Sequence, residues 1–193
     1  MKDFFEIRWH GRGGQGAKTV ALLFADAALA TGKYIQAFPE YGPERMGAPV
    51  QSFNRLADRE ITVHSPVENP DVVVILDQSL MNSVDTTEGL TDGGVLIINT
   101  VKKPSEIRDA YKVKKQIKIF TVDASKISVD EIGSNKPNTP MFGALVKATG
   151  ILDFDKMLTD TEDKLRKKFK SKPELIEGNI KSIKRAFQEV IAE

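Results

Sequence analysis

Residues 4–38 read FFEIRWHGRGGQGAKTVALLFADAALATGKYIQAF. Phe4, Phe5, Ile7 and Trp9 form an aromatic and β-branched run that stops at Gly11, which predicts a first strand entering a glycine loop. From Gly16 to about Ala30 the residues are strong helix formers and apolar nearly all round, so this helix should lie buried against a sheet, with Gly32 as its stop. Tyr34, Ile35, Ala37 and Phe38 predict a second strand. Strand, glycine loop, helix and strand in this order are the start of a βαβ unit.

The loop itself, Gly11-Arg12-Gly13-Gly14-Gln15-Gly16, satisfies G-x-G-x-x-G between a strand and a helix. Glycines permit positive φ and close backbone approach, and the free N–H groups and dipole at a helix start attract a phosphate or carboxylate. Arg12 would add a charged contact to such an anion and Gln15 a neutral one; the bland alternative is a tight turn packed on a neighbour. An NAD-binding domain would place an acidic residue at the end of the second strand. Here that strand ends Gln36-Ala37-Phe38-Pro39, which weakens the dinucleotide reading. The Walker A spacing is also missing, because Ala17 separates Gly16 from Lys18.

Beyond the second strand, PEYGPERMGAP (residues 39–49) is dense in Pro and Gly and predicts an irregular loop. Val50 to Arg55 alternates, and Ile61-Thr62-Val63 resumes after a polar turn, which predicts an antiparallel hairpin. Val72–Leu76 and Val95–Ile98 are continuous apolar runs suited to strands covered on both faces, with a short helix expected between them in residues 81–90. Residues 117–122 predict a further strand, and 130–133 a helical turn. Asn138-Thr139-Pro140 opens a helix that ends at Gly150, and charged helices are expected near 155–170 and 173–192. The expectation is a single domain over residues 1–193: a three-layer α/β fold with a mostly parallel, mixed sheet, a Rossmann-like glycine loop after the first strand and a helical C-terminal third.

Composition narrows the chemistry. With 28 Lys and Arg against 27 Asp and Glu, nothing global favours nucleic acid or an anionic membrane surface. Cysteine is absent, so disulfides, a thiol nucleophile and thiolate-held iron–sulfur clusters are excluded for this chain. No apolar run suits a signal peptide or a membrane span, which points to a cytoplasmic protein.

GRGGQG followed by AKTVALLFADAALATGKY, then FPEYGPERMGAPVQSFNR, resembles the gamma subunits of the pyruvate and 2-ketoisovalerate ferredoxin oxidoreductases. The resemblance continues through DVVVILDQSL, GGVLIINT and NTPMFGAL, about residues 4–150. Relatives acting on 2-oxoglutarate usually have Y-G-P-E-x-R-G-G in the second motif. Tyr41-Gly42-Pro43-Glu44-Arg45-Met46-Gly47-Ala48-Pro49 looks more like the pyruvate and branched-chain type. The resemblance implies a non-catalytic subunit of an enzyme that converts a 2-oxoacid, coenzyme A and oxidised ferredoxin to an acyl-CoA, carbon dioxide and reduced ferredoxin. It further implies thiamine diphosphate, magnesium and iron–sulfur clusters on partner alpha, beta and delta subunits, with the gamma chain packing over them and contacting coenzyme A. The candidate cofactor-binding residues are then Gly11, Arg12, Gly13, Gly14, Gln15 and Gly16. The candidate interface is Tyr41, Gly42, Pro43, Glu44, Arg45 and Met46, a mixture of aromatic, Arg and Met on a Pro/Gly frame that suits a subunit contact. The competing reading is a free-standing Rossmann-like nucleotide-binding protein or oxidoreductase, although the chain shows no acid/base constellation for one.

Among single residues, His10 reads either as a contact to a phosphate bound at the glycine loop or as a strand-end surface group, and His64 as bland. Asp77 and Asn99, at C-terminal strand ends, read either as ligand contacts or as caps. Asn138 and Thr139 likewise read as anion contacts or caps, and the lysine runs near 112–118 and 166–172 either as attracting ferredoxin or coenzyme A or as solvated faces.

Overall fold

A computed structural model describes residues 3–40, 46–170 and 172–193, apart from the side chain of residue 168. The elements run β1 (Phe5–Arg12), α1 (Ala17–Leu29), β2 (Tyr34–Pro39), β3 (Pro49–Ala57), β4 (Val72–Ile75), a 3-10 turn (Gln78–Asn82), β5 (Val95–Asn99), α2 (Pro104–Tyr111), β6 (Lys118–Val122), α3 (Ala124–Ile132), α4 (Asn138–Thr149), α5 (Phe154–Lys168), α6 (Pro173–Glu189) and β7 (Ile191–Ala192). The sheet order is β2-β3-β1-β4-β5-β6-β7. β1, β4, β5 and β6 pair in parallel, while β3 is antiparallel to both β1 and β2, and β7 is antiparallel to β6.

The alternation of β1 sorts its side chains by face. Ile7 and Trp9 join Phe24 of α1 and Met141, Phe142 and Leu145 of α4 in the larger core, to which α5 and α6 add Leu165, Ile180 and Ile183. On the opposite face, Val73, Ile75, Leu96 and Ile98 pack with Ile107 of α2 and with Val113, Ile117 and Ile119. Apolar residues on both sides of β4 and β5 are what helix-covered parallel strands require. The sheet with helices on each face is thus the three-layer arrangement read from the sequence, and α4–α6 form the helical C-terminal third. Trp9 shows how the layers are tied: its Nε1–H donates to Asn54 Oδ1 at 2.8 Å, and Asn54 Nδ2 donates to the Ala21 carbonyl at 2.9 Å. One buried polar chain therefore links β1, β3 and α1, with each donor matched.

β2 runs parallel to β1 in the same sheet, with β3 between them and antiparallel to both. Several expectations are corrected. The hairpin of 50–55 with 61–63 does not form. Arg55 instead takes the carbonyls of Val63 and Ser65 while its Nε binds Glu6 at 2.7 Å, and Gln36 takes the carbonyl of Ile61. These side chains occupy the very carbonyls a second strand would have used for pairing. The helix expected in 81–90 is a 3-10 turn at Gln78–Asn82 followed by turns, and the turn expected at 130–133 is the end of α3. α2 and β7 were not legible as elements. Among the described residues, no helix is long and apolar enough to cross a membrane.

Candidate functional site

The C-terminal ends of the central strands β1, β4 and β5 gather the glycine loop, Asp77 and Asn99 at one end of the sheet. Positive φ falls at Gly14 (94°) and Gly16 (85°). Gly13 donates its N–H to the Ala48 carbonyl at 2.9 Å and accepts from Gly47 N–H at 3.2 Å. The glycine loop and the end of the 39–49 loop are thereby zipped together. Met46 is 89 % exposed, yet its Sδ lies 3.3 Å from where a Cβ on Gly14 would stand. Tyr41–Arg45 lie outside the described residues.

Arg12 and Gln15 turn toward Asp77. Arg12 Nε and Gln15 Nε2 both donate to Asp77 Oδ2, at 3.1 and 3.0 Å, while Gln15 Oε1 accepts from Arg12 N–H at 2.7 Å. The other guanidinium nitrogens donate to the Gly47 carbonyl (3.1 Å) and Ser79 Oγ (2.8 Å). Asp77 Oδ1 accepts from the N–H and Oγ of Ser79 at 2.9 and 2.6 Å. Partial burial works against its ionisation, but the bonds from Ser79 and Gln15 and the charge of Arg12 outweigh it, holding the carboxyl below its ordinary pKa. This closed network gives the loop its shape. It also means that Arg12 and Gln15 act first as braces, so the loop's capacity for an anion rests on its backbone and the start of α1.

Asn99 is structural here. Its Nδ2 donates to the Leu76 carbonyl and to Ser125 Oγ, and its Oδ1 accepts from Ser125 N–H, which ties β4 and β5 to the start of α3. Asn138 and Thr139 do something the sequence left open. Neither caps α4, whose N-terminus has no side-chain cap, and both are more than nine-tenths buried. Asn138 packs on the glycine loop, its Nδ2 only 2.8 Å from where a Gly16 Cβ would stand. No local sequence pattern relates these two segments; only the packing of α1 beside α4 joins them.

His10 is not a surface group. It is buried beside Arg8 on the β1 face opposite Trp9, because residues 84–90 cover that face: Arg8 donates through Nη2 to the carbonyls of Thr86 and Glu88. Burial, reinforced by the charge of Arg8, pushes the His10 pKa down to about 3, so the imidazole is neutral throughout the physiological range. His64, on the half-open coil after β3, lines an apolar hollow with Phe38, Phe53 and Pro66. Among the described residues no cluster of His, Cys, Asp or Glu is arranged to hold a metal ion.

Residues 6–189 match the family described as pyruvate ferredoxin/flavodoxin oxidoreductase. The chain is 48 % identical over 189 residues to pyruvate synthase subunit PorC of Thermotoga maritima, covering 98 % of this chain and 96 % of that one. It is 44 % identical over 186 residues to the pyruvate/ketoisovalerate oxidoreductases common subunit gamma of Thermococcus litoralis, covering 96 % and 97 %. The crystal structure of pyruvate oxidoreductase subunit PORC from Thermotoga maritima superposes with a TM-score of 0.85 at 45 % identity, over 100 % of this chain and 99 % of that one. The chain belongs to the pyruvate ferredoxin/flavodoxin oxidoreductase family and is of its gamma-subunit type.

Proposed function

We propose that this chain is the gamma subunit of a pyruvate:ferredoxin oxidoreductase, in which pyruvate and coenzyme A give acetyl-CoA and carbon dioxide while the electrons pass to ferredoxin. The observation that carries this reading is the nearly end-to-end match, at 48 % identity, to a pyruvate synthase subunit. Thiamine diphosphate supplies the decarboxylation chemistry and, with magnesium and the iron–sulfur clusters, belongs to partner alpha, beta and delta subunits. This division agrees with a sequence that has no cysteine to ligate a cluster.

The part left to the chain's own residues is binding and assembly. The loop Gly11–Gly16 holds an anionic part of coenzyme A, with the N–H groups at the start of α1 as donors and Arg12 and Gln15 fixing the loop through Asp77. Tyr41–Met46 dock on a partner over the thiamine site, and Gly47 and Ala48, next in the chain, are bonded to Gly13 of the loop.

Native mass measurement on co-purified material tests the proposal, with stoichiometric alpha, beta and delta partners as the expected result. The isolated chain, supplied with thiamine diphosphate, magnesium, coenzyme A and ferredoxin, should release no carbon dioxide from pyruvate. Turnover by the pure chain would overturn the assignment.

A further inference from the structure

β2 ends the sheet, with β3 as its neighbour on one side and, among the described residues, no strand on the other. Which of its main-chain groups are left over follows from the register. Glu40 N–H donates to the Gln51 carbonyl at 3.1 Å, one residue pair beyond Pro39 opposite Ser52. In an antiparallel ladder such bonded pairs alternate with pairs whose N–H and C=O groups point away from each other. Gln36 and Phe38 therefore bond to β3, while Ile35 and Ala37 turn their N–H and C=O groups to the outer edge. Pro39 has no N–H and closes that row. Native sheets commonly guard an edge by keeping it very short or by charging it. The opposite edge follows this rule: β7 is only Ile191–Ala192, and Glu193 beyond it pairs with Arg108. β2 has six residues, Tyr34–Pro39, and none is charged.

A second observation concerns what lies beside this edge. A hollow of about 630 Å³ is bordered by the consecutive residues 36–40 and lined further by Phe53, His64 and Pro66. Phe38 and Phe53 are cross-strand partners with ring centroids 5.3 Å apart. Phe53 stands opposite Arg8, and Arg8 beside Val73, so both rings lie on the sheet face that Ile107 of α2 covers at β4 and β5. Over β2 and β3 the cover is coil, held by Gln36 and Arg55 through the carbonyls of Ile61, Val63 and Ser65.

We infer that the free edge of β2 receives an extended strand from a partner subunit, which continues the sheet through Ile35 and Ala37 and sets an apolar side chain in the hollow beside Phe38 and Phe53. A free row of main-chain groups accepts another strand, and an adjoining pocket selects among its side chains. A second copy of this chain fits less well. Two-fold pairing through the same groups sets Gln36 against Gln36 at its centre, on the face of the hollow, and that amide is already bonded to Arg55 and Ile61. The strand also runs directly into residues 41–46, proposed above to dock on a partner, so the two contacts are contiguous in the chain. The inference rests on the subunit reading and adds to it a sheet shared between chains.

Hydrogen exchange resolved to single amides, on the purified complex and on the free chain, tests this. In the free chain Ile35 and Ala37 should exchange fast and Gln36 and Phe38 slowly. On assembly the first two should slow by about tenfold or more, while the other two, already in the ladder, change little. Ala37→Pro removes the N–H that the added strand needs and none that β3 uses. Its free chain should melt near the wild-type temperature, and its affinity for the partners should fall about tenfold or more. Ala37→Ser keeps the N–H and should assemble like the wild type. His64→Glu brings a charge to the hollow and should weaken assembly several-fold. If Ala37→Pro does not fold, the exchange pattern of the wild-type complex decides alone. A complex in which Ile35 and Ala37 exchange as fast as in the free chain would overturn this inference and leave the subunit reading standing. Purified protein without partner subunits would overturn both. Protection of the two amides that appears in the free chain as its concentration rises would replace the partner strand by a second copy, and wild-type assembly of His64→Glu would overturn the role of the hollow.

Discussion

At Gly16 two constraints coincide: a φ of 85°, which L side chains rarely adopt, and the Asn138 amide at 2.8 Å from the missing Cβ. Gly16→Ala should therefore cost about 2 kcal/mol or more in urea unfolding, the left-handed conformation alone accounting for ~1–2 kcal/mol. Asp77→Ala leaves Arg12 and Gln15 without their shared acceptor and should cost roughly 1–2 kcal/mol, with faster amide exchange confined to residues 11–16 and 46–48. Because the folded Asp77 carboxyl has a lowered pKa, its contribution is full above the unfolded value of about 3.9 and disappears only as acid titrates through the folded value. His10 acts over a wider range. Its folded pKa of about 3 lies below the unfolded value of 6.5, so between those limits the unfolded chain binds the extra proton and stability falls with falling pH. The slope from this group is about 1.4 kcal/mol per pH unit, and His10→Phe should flatten the acid limb of the stability profile by that amount. The glycine spacing made the loop legible in the sequence. The burial of His10 was not, because an Arg-x-His alternation reads as a solvent face until residues 84–90 are seen to cover it.

Elements with a strong period or a continuous apolar run, namely β1, α1, β4, β5, β6 and α4, stood out in the sequence because propensity and burial point the same way there. α2 did not: Pro104–Tyr111 is short and polar and offers the core only Pro104 and Ile107, although proline at its start and Glu106 were available signals. The supposed strand at 61–63 failed for another reason, since its carbonyls serve Arg55 and Gln36. Helix contacts also depend on residues that carry little sequence signal. A Cβ on Gly143 of α4 would stand 2.2 Å from the Ile183 carbonyl oxygen of α6, so the two backbones nearly touch. Gly143→Ala should push α6 off the core and lower stability by about 1–3 kcal/mol, visible as a reduced midpoint in denaturant.

For the whole molecule, the proposed docking segment supplies the test of assembly: Tyr41→Ala with Arg45→Ala should weaken the complex at ~2 kcal/mol or more per side chain while leaving the melting of the free chain unchanged. An intact complex on dilute size exclusion would count against that surface. The sheet order carries a different kind of consequence. β1, α1 and β2 are contiguous in the chain, but among the described residues β2 has no strand neighbour except β3, which arrives later and must slot between two strands already joined by a helix. β3 pairs with β2 across a short loop, Pro39 opposite Ser52, and with β1 across a longer one, Arg12 opposite Pro49. The N-terminal segment therefore cannot fold ahead of residues 49–57, and a ribosome-bound chain should acquire protease resistance in β2 only after β3 has left the exit tunnel.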